Sequence, residues 1–265
     1  MFKLKMSNIE QQIQQKLAQI SQKSDLHFLL AVESGSRAWG FPSPDSDYDV
    51  RVIFIRPMTD YLSIDIPKDT FEYIENEWFD VGGWDLRKAL NLLRKSNAVL
   101  LEWLNSPIVY QKSPQFVEQI RPLLREYFQP MSVILHYRGI ARNALSQLDL
   151  NNEIKLKKWF YILRPLLAVQ WVIQQNSIPP MELSKLQQML PQALQNEIDE
   201  LVQLKATQSE NYRHKLSSNL IQLTEQLWQS VEYLQISSEN KPLAAQPLDE
   251  LFINMLELKK EYAHN

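Results

Sequence analysis

The sequence contains no cysteine. Disulfides, thiolate nucleophiles and cysteine-ligated zinc are thereby excluded. No apolar run is long enough to cross a bilayer as a helix. The first residues, Met1-Phe2-Lys3-Leu4-Lys5, are basic but lead into polar Ser7-Asn8-Ile9-Glu10, which does not read as a secretory leader. A cytoplasmic protein is the expectation. Positive charge is not in excess either, the formal net charge being -3. Acids outnumber bases up to residue 110, and the two balance beyond it. Long nucleic acid is held largely by cations on phosphates, so this balance disfavours tight binding by charge alone and leaves room only for a short basic groove. The 4 histidines are scattered, without metal-site spacing. Glycine is rare: Gly35, Gly40, Gly82, Gly83 and Gly139 are all there are. Glycine is needed where φ is positive or where backbone must approach closely. All but Gly139 lie beside two segments, which points to a site built from two tight turns.

What is present is concentrated in Glu33-Ser34-Gly35-Ser36-Arg37-Ala38-Trp39-Gly40-Phe41, followed by Pro42-Ser43-Pro44-Asp45-Ser46-Asp47-Tyr48-Asp49-Val50. Apolar runs over residues 27–32 and 50–55 flank it and read as buried strands. Side chains two apart on a strand share a face. Asp47 and Asp49 therefore project together, with Arg51 on the same side by parity and placed to neutralise them. Two adjacent carboxylates repel, and burial adds to the cost, so a positive partner is required. Carboxylate oxygens suit Mg²⁺, which keeps positions open for water and phosphate. A Gly-Ser turn offers backbone N–H groups and a hydroxyl to phosphates.

Taken in order, residues 7–23 carry Ile9, Ile13, Leu17 and Ile20 at helical spacing, an amphipathic helix that packs on a sheet. Residues 34–41 form the turn and a short helix, and 47–56 a strand. Residues 61–67 and 70–75 alternate and predict a half-exposed hairpin. A further strand covers 77–81. A helix runs from Asp85, its N-cap, to Leu104, and Asn105-Ser106-Pro107 ends it. Beyond Gln111 the pattern is helical over 114–128, 131–149, 153–175, 182–204, 209–234 and 248–262, with Pro191 breaking the fourth. The expected fold class is α+β: a small mixed-sheet domain over 1–111, then an all-α domain over 112–265, with the cleft between them.

Gly35-Ser36 followed by Asp47-Tyr48-Asp49 resembles the Gly-Ser…Asp-x-Asp motif of the DNA polymerase β-like nucleotidyltransferase superfamily. The longer string is similar to a bacterial branch of predicted nucleotidyltransferases associated with an RNA-repair pathway. Three later segments carry the same resemblance: Gly83-Trp84-Asp85-Leu86-Arg87-Lys88-Ala89, Leu101-Glu102-Trp103-Leu104-Asn105-Ser106-Pro107-Ile108-Val109-Tyr110, and Phe160-Tyr161-Ile162-Leu163-Arg164-Pro165-Leu166-Leu167-Ala168. It spans roughly residues 25 to 180.

The resemblance implies a transferase that moves a nucleoside monophosphate from an NTP, ATP first among them, to an acceptor hydroxyl and releases pyrophosphate. It implies two Mg²⁺ ions on Asp47 and Asp49, with a third carboxylate from a later strand. Asp80 and Asp85 both qualify. Asp85 already has a capping role, so Asp80 is favoured. Gly35 and Ser36 would cradle phosphates, with Arg37 adding charge. Trp39 and Phe41 either stack on a base or pack the loop. Lys157, Lys158, Tyr161 and Arg164 are placed together by helical spacing and could grip phosphate. The acceptor implied is an RNA end. A protein or small molecule, as in regulatory adenylylation, and a nucleotide-binding protein without turnover are the other readings. Neither a membrane nor a disulfide-linked partner is expected.

Overall fold

The computed structural model describes residues 8–76, 79–234 and 243–262. Helix α1 (Asn8–Ser24) leads into β1 (His27–Glu33), the short helix α2 (Gly35–Trp39) and β2 (Tyr48–Ile55). After α3 (Met58–Tyr61) come β3 (Thr70–Asn76), β4 (Phe79–Asp85), α4 (Leu86–Arg94), α5 (Ala98–Leu104) and β5 (Val109–Lys112). Helices dominate thereafter: α6 (Pro114–Glu126), α7 (Pro130–Leu145), α8 (Leu156–Gln175), α9 (Leu183–Leu186), α10 (Gln192–Lys205), α11 (Ser218–Glu232) and α12 (Gln246–Tyr262). A two-residue ladder pairs β6 (Ile154–Lys155) with β7 (Arg213–His214). The class is α+β, as the sequence pattern implies.

The main sheet has the order β3-β4-β2-β1-β5. Only β2 and β4 pair in parallel; the other neighbours are antiparallel. One face is covered by α1, whose Ile13, Leu17 and Ile20 pack with Phe28, Val50, Val52, Phe54 and Val81. The alternation of β2 therefore sends Val50, Val52 and Phe54 to α1. It sends Asp49, Arg51, Ile53 and Ile55 to the other face. There Leu30, Val32, Ile53 and Ile55 join Trp159, Phe160 and Leu163 of α8 in one apolar cluster. The sheet and the later helices thus share a core, and the polar end of the second face is left for Asp49 and Arg51.

Several expected elements differ. Residues 61–67 form no strand: β3 pairs with β4 instead, and Ile64 and Ile66 are 101% and 86% exposed. Alternation there has no surface to be buried against. Two residues of the strand expected over 77–81, 77 and 78, lie outside the described residues. The helix expected from Asp85 to Leu104 is two helices. Ser96 between them takes φ 52, its hydroxyl accepts from the Gln129 N–H, and Asn97 caps α5 by accepting from the Leu100 N–H. Serine and asparagine favour such side-chain bonds over helix continuation. Strand β5 was not expected. Residues 154–155 and 213–214 are ladder rather than helix, because the chain pairs there, with the Leu156 N–H donating to Tyr212 O beside the ladder.

A buried polar cluster ties the two parts together. Glu102 on α5 pairs with Arg164 on α8 at 2.8 Å. It accepts from the Tyr137 hydroxyl at 2.6 Å and from the Trp39 indole at 3.4 Å. Arg164 also donates to Met181 O at 2.9 Å and lies 4.7 Å over the Trp39 ring. Removing one partner of such a pair strands a buried charge, at a cost of about 3–5 kcal/mol. Glu102→Ala should lose stability on that scale in urea unfolding. Glu102→Leu combined with Arg164→Met should regain most of it. A double variant as unstable as the single one would show that the ion pair itself is what the junction needs.

Candidate active site

The site-facing side chains meet because of strand register. In the parallel ladder Asp49 lies opposite Asp80 and Arg51 opposite Gly82. Two carboxylates are thus held side by side, and Arg51 on the same face answers both. Its Nη2 lies 3.0 Å from Asp49 Oδ1 and 2.9 Å from Asp80 Oδ2. Asp47 sits just before β2 with its side chain exposed. Burial pushes the Asp49 carboxyl above its ordinary range; Arg51 opposes the shift, and the charges of Asp47 and Asp80 add to it.

Asp80 and Asp85 have separate surroundings. Asp85 is 4% exposed, accepts from the Arg87 N–H at 2.9 Å and from the Tyr61 hydroxyl at 2.5 Å, and caps α4. It is on the opposite face of β4 from Asp80, five residues along. The structure brings Asp80 to Asp49 and keeps Asp85 away.

Gly35 touches Asp49. A Cβ at Gly35 would stand 2.2 Å from Asp49 Oδ2, and its φ is 61. Both facts require glycine. Ser36 is buried, and its hydroxyl donates to Ser46 Oγ at 3.2 Å, so this side chain is engaged within the protein. Arg37 donates to the carbonyls of Asp47 and Ser46 and stacks 3.9 Å over the Tyr48 ring. It fastens the strand entrance. Trp39 and Phe41 pack the loop: Phe41 stacks on Phe160 at 4.8 Å, and Trp39 meets Tyr161 edge-on at 5.1 Å.

The α8 residues divide. Lys157, Lys158 and Tyr161 line a cavity of about 620 Å³ with Lys155, Asp45 and Glu210. Lys157 and Tyr161 are near enough for their charges to couple to Asp47 and Asp49. Arg164 is not brought there. It lines a smaller cavity of about 150 Å³ with Ser34, His136 and Tyr161.

Two residues with no role in the sequence reading matter to this geometry. Glu33 is fully buried on the opposite sheet face, accepting from the Asp49 N–H at 2.9 Å and the Tyr110 hydroxyl at 2.6 Å. It bolts the start of β2 in place. Glu210 accepts from Ser46 Oγ at 3.0 Å and from Lys157 Nζ at 2.6 Å, while its N–H donates to Asp45. Nearby, Lys205, 2% exposed, donates to Ser43 Oγ at 2.8 Å. The loop between α2 and β2 is therefore held by residues far along the chain. Glu33 was visible as the first residue of the motif string; Glu210 gave no local signal.

Three carboxylates without nitrogen or sulfur donors suit a hard divalent cation. Among the described residues no three ligating side chains converge on one point as they stand. Arg51 supplies the positive charge that Asp49 and Asp80 need, and a cation would take over part of that role once Arg51 turns aside. The donor set fits Mg²⁺ on that condition.

Arg51→Ala leaves two facing carboxylates without a counter-ion. At these partly exposed positions the loss is on the order of 1 kcal/mol. The variant should melt lower than wild type in EDTA and recover more than wild type on adding Mg²⁺. Equal recovery in both would refute the exchange of arginine for metal. Glu33 generates a pH prediction. Burial raises its carboxyl from 4.5 to about 7. The folded state then keeps a proton that the unfolded chain releases, so this group lowers stability as pH climbs between those values. Relative to wild type, Glu33→Gln should gain up to about 3 kcal/mol between pH 5 and pH 8 in unfolding measurements made in EDTA. A pH-independent difference would refute the buried, protonated carboxyl.

A model of the RNA repair pathway DNA polymerase beta family, RlaP, matches residues 9–254. The uncharacterized protein YcgL of Bacillus subtilis (strain 168) is 45% identical over 178 residues, 67% of this chain and 68% of that protein. The crystal structure of a nucleotidyltransferase-like protein from Exiguobacterium sibiricum 255-15 aligns over 95% of this chain and 91% of that one. Its identity is 12% and its TM-score 0.31. No helix among the described residues is long and apolar enough to cross a membrane. With the family model matching nearly the whole chain, this protein belongs to the RNA repair pathway DNA polymerase beta family.

Proposed function

We propose that this polymerase β-like nucleotidyltransferase moves a nucleoside monophosphate from an NTP to an acceptor hydroxyl. The acceptor oxygen forms a bond to the α-phosphorus as the bond to the β-phosphate oxygen breaks, and pyrophosphate leaves. The observation that carries the reading is the placement of Asp49 and Asp80 side by side, with Asp47 adjacent and Lys157 of α8 close enough to act on Asp47 and Asp49. Asp47, Asp49 and Asp80 would hold Mg²⁺. When bound there, two such ions supply neutralisation of the triphosphate and a lower pKa for the acceptor hydroxyl.

The protein's own groups have distinct tasks in this reading. Lys155, Lys157 and Lys158 outnumber Asp45 and Glu210 in the lining of the larger cavity and leave it net positive, as a triphosphate requires. Tyr161 lies between that cavity and the packed Trp39, positioned to set the nucleotide's depth. Gly35 lets backbone lie against Asp49, where a side chain would displace the carboxylate. Glu210 holds Lys157 and the loop of Ser46 in one arrangement, so the cations and the carboxylates keep a fixed separation. Positioning and charge carry the rate, with no covalent role for protein groups. Residues 1–111 would form the catalytic domain and 112–265 the helical wall of the nucleotide cavity. An RNA end is the acceptor the family description suggests.

Asp47→Asn tests the reading, because Asp47 is exposed and its side chain can be changed with little effect on the fold. Pyrophosphate release from each of the four NTPs with Mg²⁺, in the presence of short RNA, should fall at least about 100-fold in the variant, while the melting temperature stays within a degree or two. Near-normal release would remove the carboxylates from the chemistry.

A further inference from the structure

The second cavity, about 370 Å³, is lined by Asp80 and Arg51 and by none of the lysines of the first. Its site-facing wall is one face of β4: Asp80, Gly82 and Trp84, with Arg51 beside them and Glu72 across from them on β3. Trp103 of α5 closes the end. Trp84 stacks on it with ring centroids 3.9 Å apart and planes at 22°. One indole face is covered, so the orientation of Trp84 is fixed, and its remaining half-buried surface lines the cavity. Fixed aromatic surfaces of this kind stack on planar rings.

The charge differs from that of the lysine-lined cavity. Arg51 is the cation here, and it is already paired with Asp49 and Asp80. Glu72 adds a negative charge. A triphosphate belongs with the lysines, whereas this cavity suits a group that is uncharged where it binds. Gly82 decides the shape. A Cβ there would stand 3.2 Å from Arg51 Nη1, so its absence leaves that room to the Arg51 guanidinium.

We infer that this cavity is the acceptor subsite, and that it takes a nucleoside whose base lies on Trp84 and whose sugar hydroxyl lies at Asp80; the inference rests on the transfer reaction proposed above. Asp80 and Trp84 are four residues apart on one strand, about 13 Å. With Arg51 turned aside, as metal binding requires, a ribose over Gly82 bridges that span, and the base reaches Trp84. A tyrosine side chain does not, because its hydroxyl sits on the ring itself. In the reaction the sugar oxygen bonds to the α-phosphorus, pyrophosphate leaves, and the hydroxyl proton passes to Asp80 and then to water. Trp84 is a positioning residue for the acceptor's hydroxyl.

Calorimetric binding of three probes to the full chain tests this: adenosine, a trinucleotide RNA with a free 3′ hydroxyl, and N-acetyltyrosinamide. ATP binding is measured in parallel. Trp84→Ala should weaken adenosine or trinucleotide binding at least tenfold and leave ATP binding unchanged. Trp84→Phe, which keeps a ring on Trp103, should retain most of the affinity and controls for folding. Trinucleotide binding without adenosine binding assigns the subsite to an RNA end. The reverse assigns it to a free nucleoside. Unchanged nucleoside affinity in Trp84→Ala, or binding of N-acetyltyrosinamide in place of both nucleosides, overturns the inference. Failure of the transfer reaction itself is read separately, from pyrophosphate release by Asp47→Asn.

Discussion

Parallel pairing of β2 with β4 sets two negative charges opposite one another, and most of the local structure answers that repulsion. Register alone makes Asp49 and Asp80 neighbours. Arg51, two residues on from Asp49, is on the same face by the same alternation and bonds to both. Gly82 gives that guanidinium room, and Gly35 gives Asp49 room. Glu33 anchors the strand from behind through the Asp49 N–H. A one-residue shift in the register of these strands would move the carboxylates to different faces.

The division of the site into a cationic and an aromatic side follows from which elements reach it. Helix α8 and the chain around Glu210 approach one flank and bring lysines. Strand β3 and helix α5 approach the other and bring Glu72 and Trp103. On the reaction proposed above, the bond between the two occupants would be made at these carboxylates.

Much of this was legible in the sequence, for stated reasons. Asp47 and Asp49 are adjacent in number and so in space. Asp85 announced itself as a helix cap, which left Asp80 for the site. The parity of Arg51 followed from strand alternation. The hidden parts depended on distant partners. Alternation over 61–67 looked like a strand, yet Ile64 and Ile66 find nothing to cover them. Strand β5 is four residues long and pairs only because β1 has a free edge. Lys157 and Arg164 share a helical spacing, but Glu102 and Met181 draw Arg164 inward while Glu210 draws Lys157 to the cavity. Glu210 and Lys205 gave no sign, because their partners lie at positions 43–46.

That last arrangement governs the order in which the protein becomes complete as it is made. The strands bearing the aspartates leave the ribosome early. The groups that fasten the intervening loop, Lys205 to Ser43 and Glu210 to Ser46, follow 162 and 164 residues behind. At ordinary translation speed the delay is on the order of ten seconds. A nascent chain would carry the carboxylates while still lacking the ties that set Lys157 and the loop against them. Translation itself thus imposes a waiting period, and a ribosome stalled before residue 205 would hold a chain that carries its acids while the lysine-lined cavity still lacks Glu210 on one side.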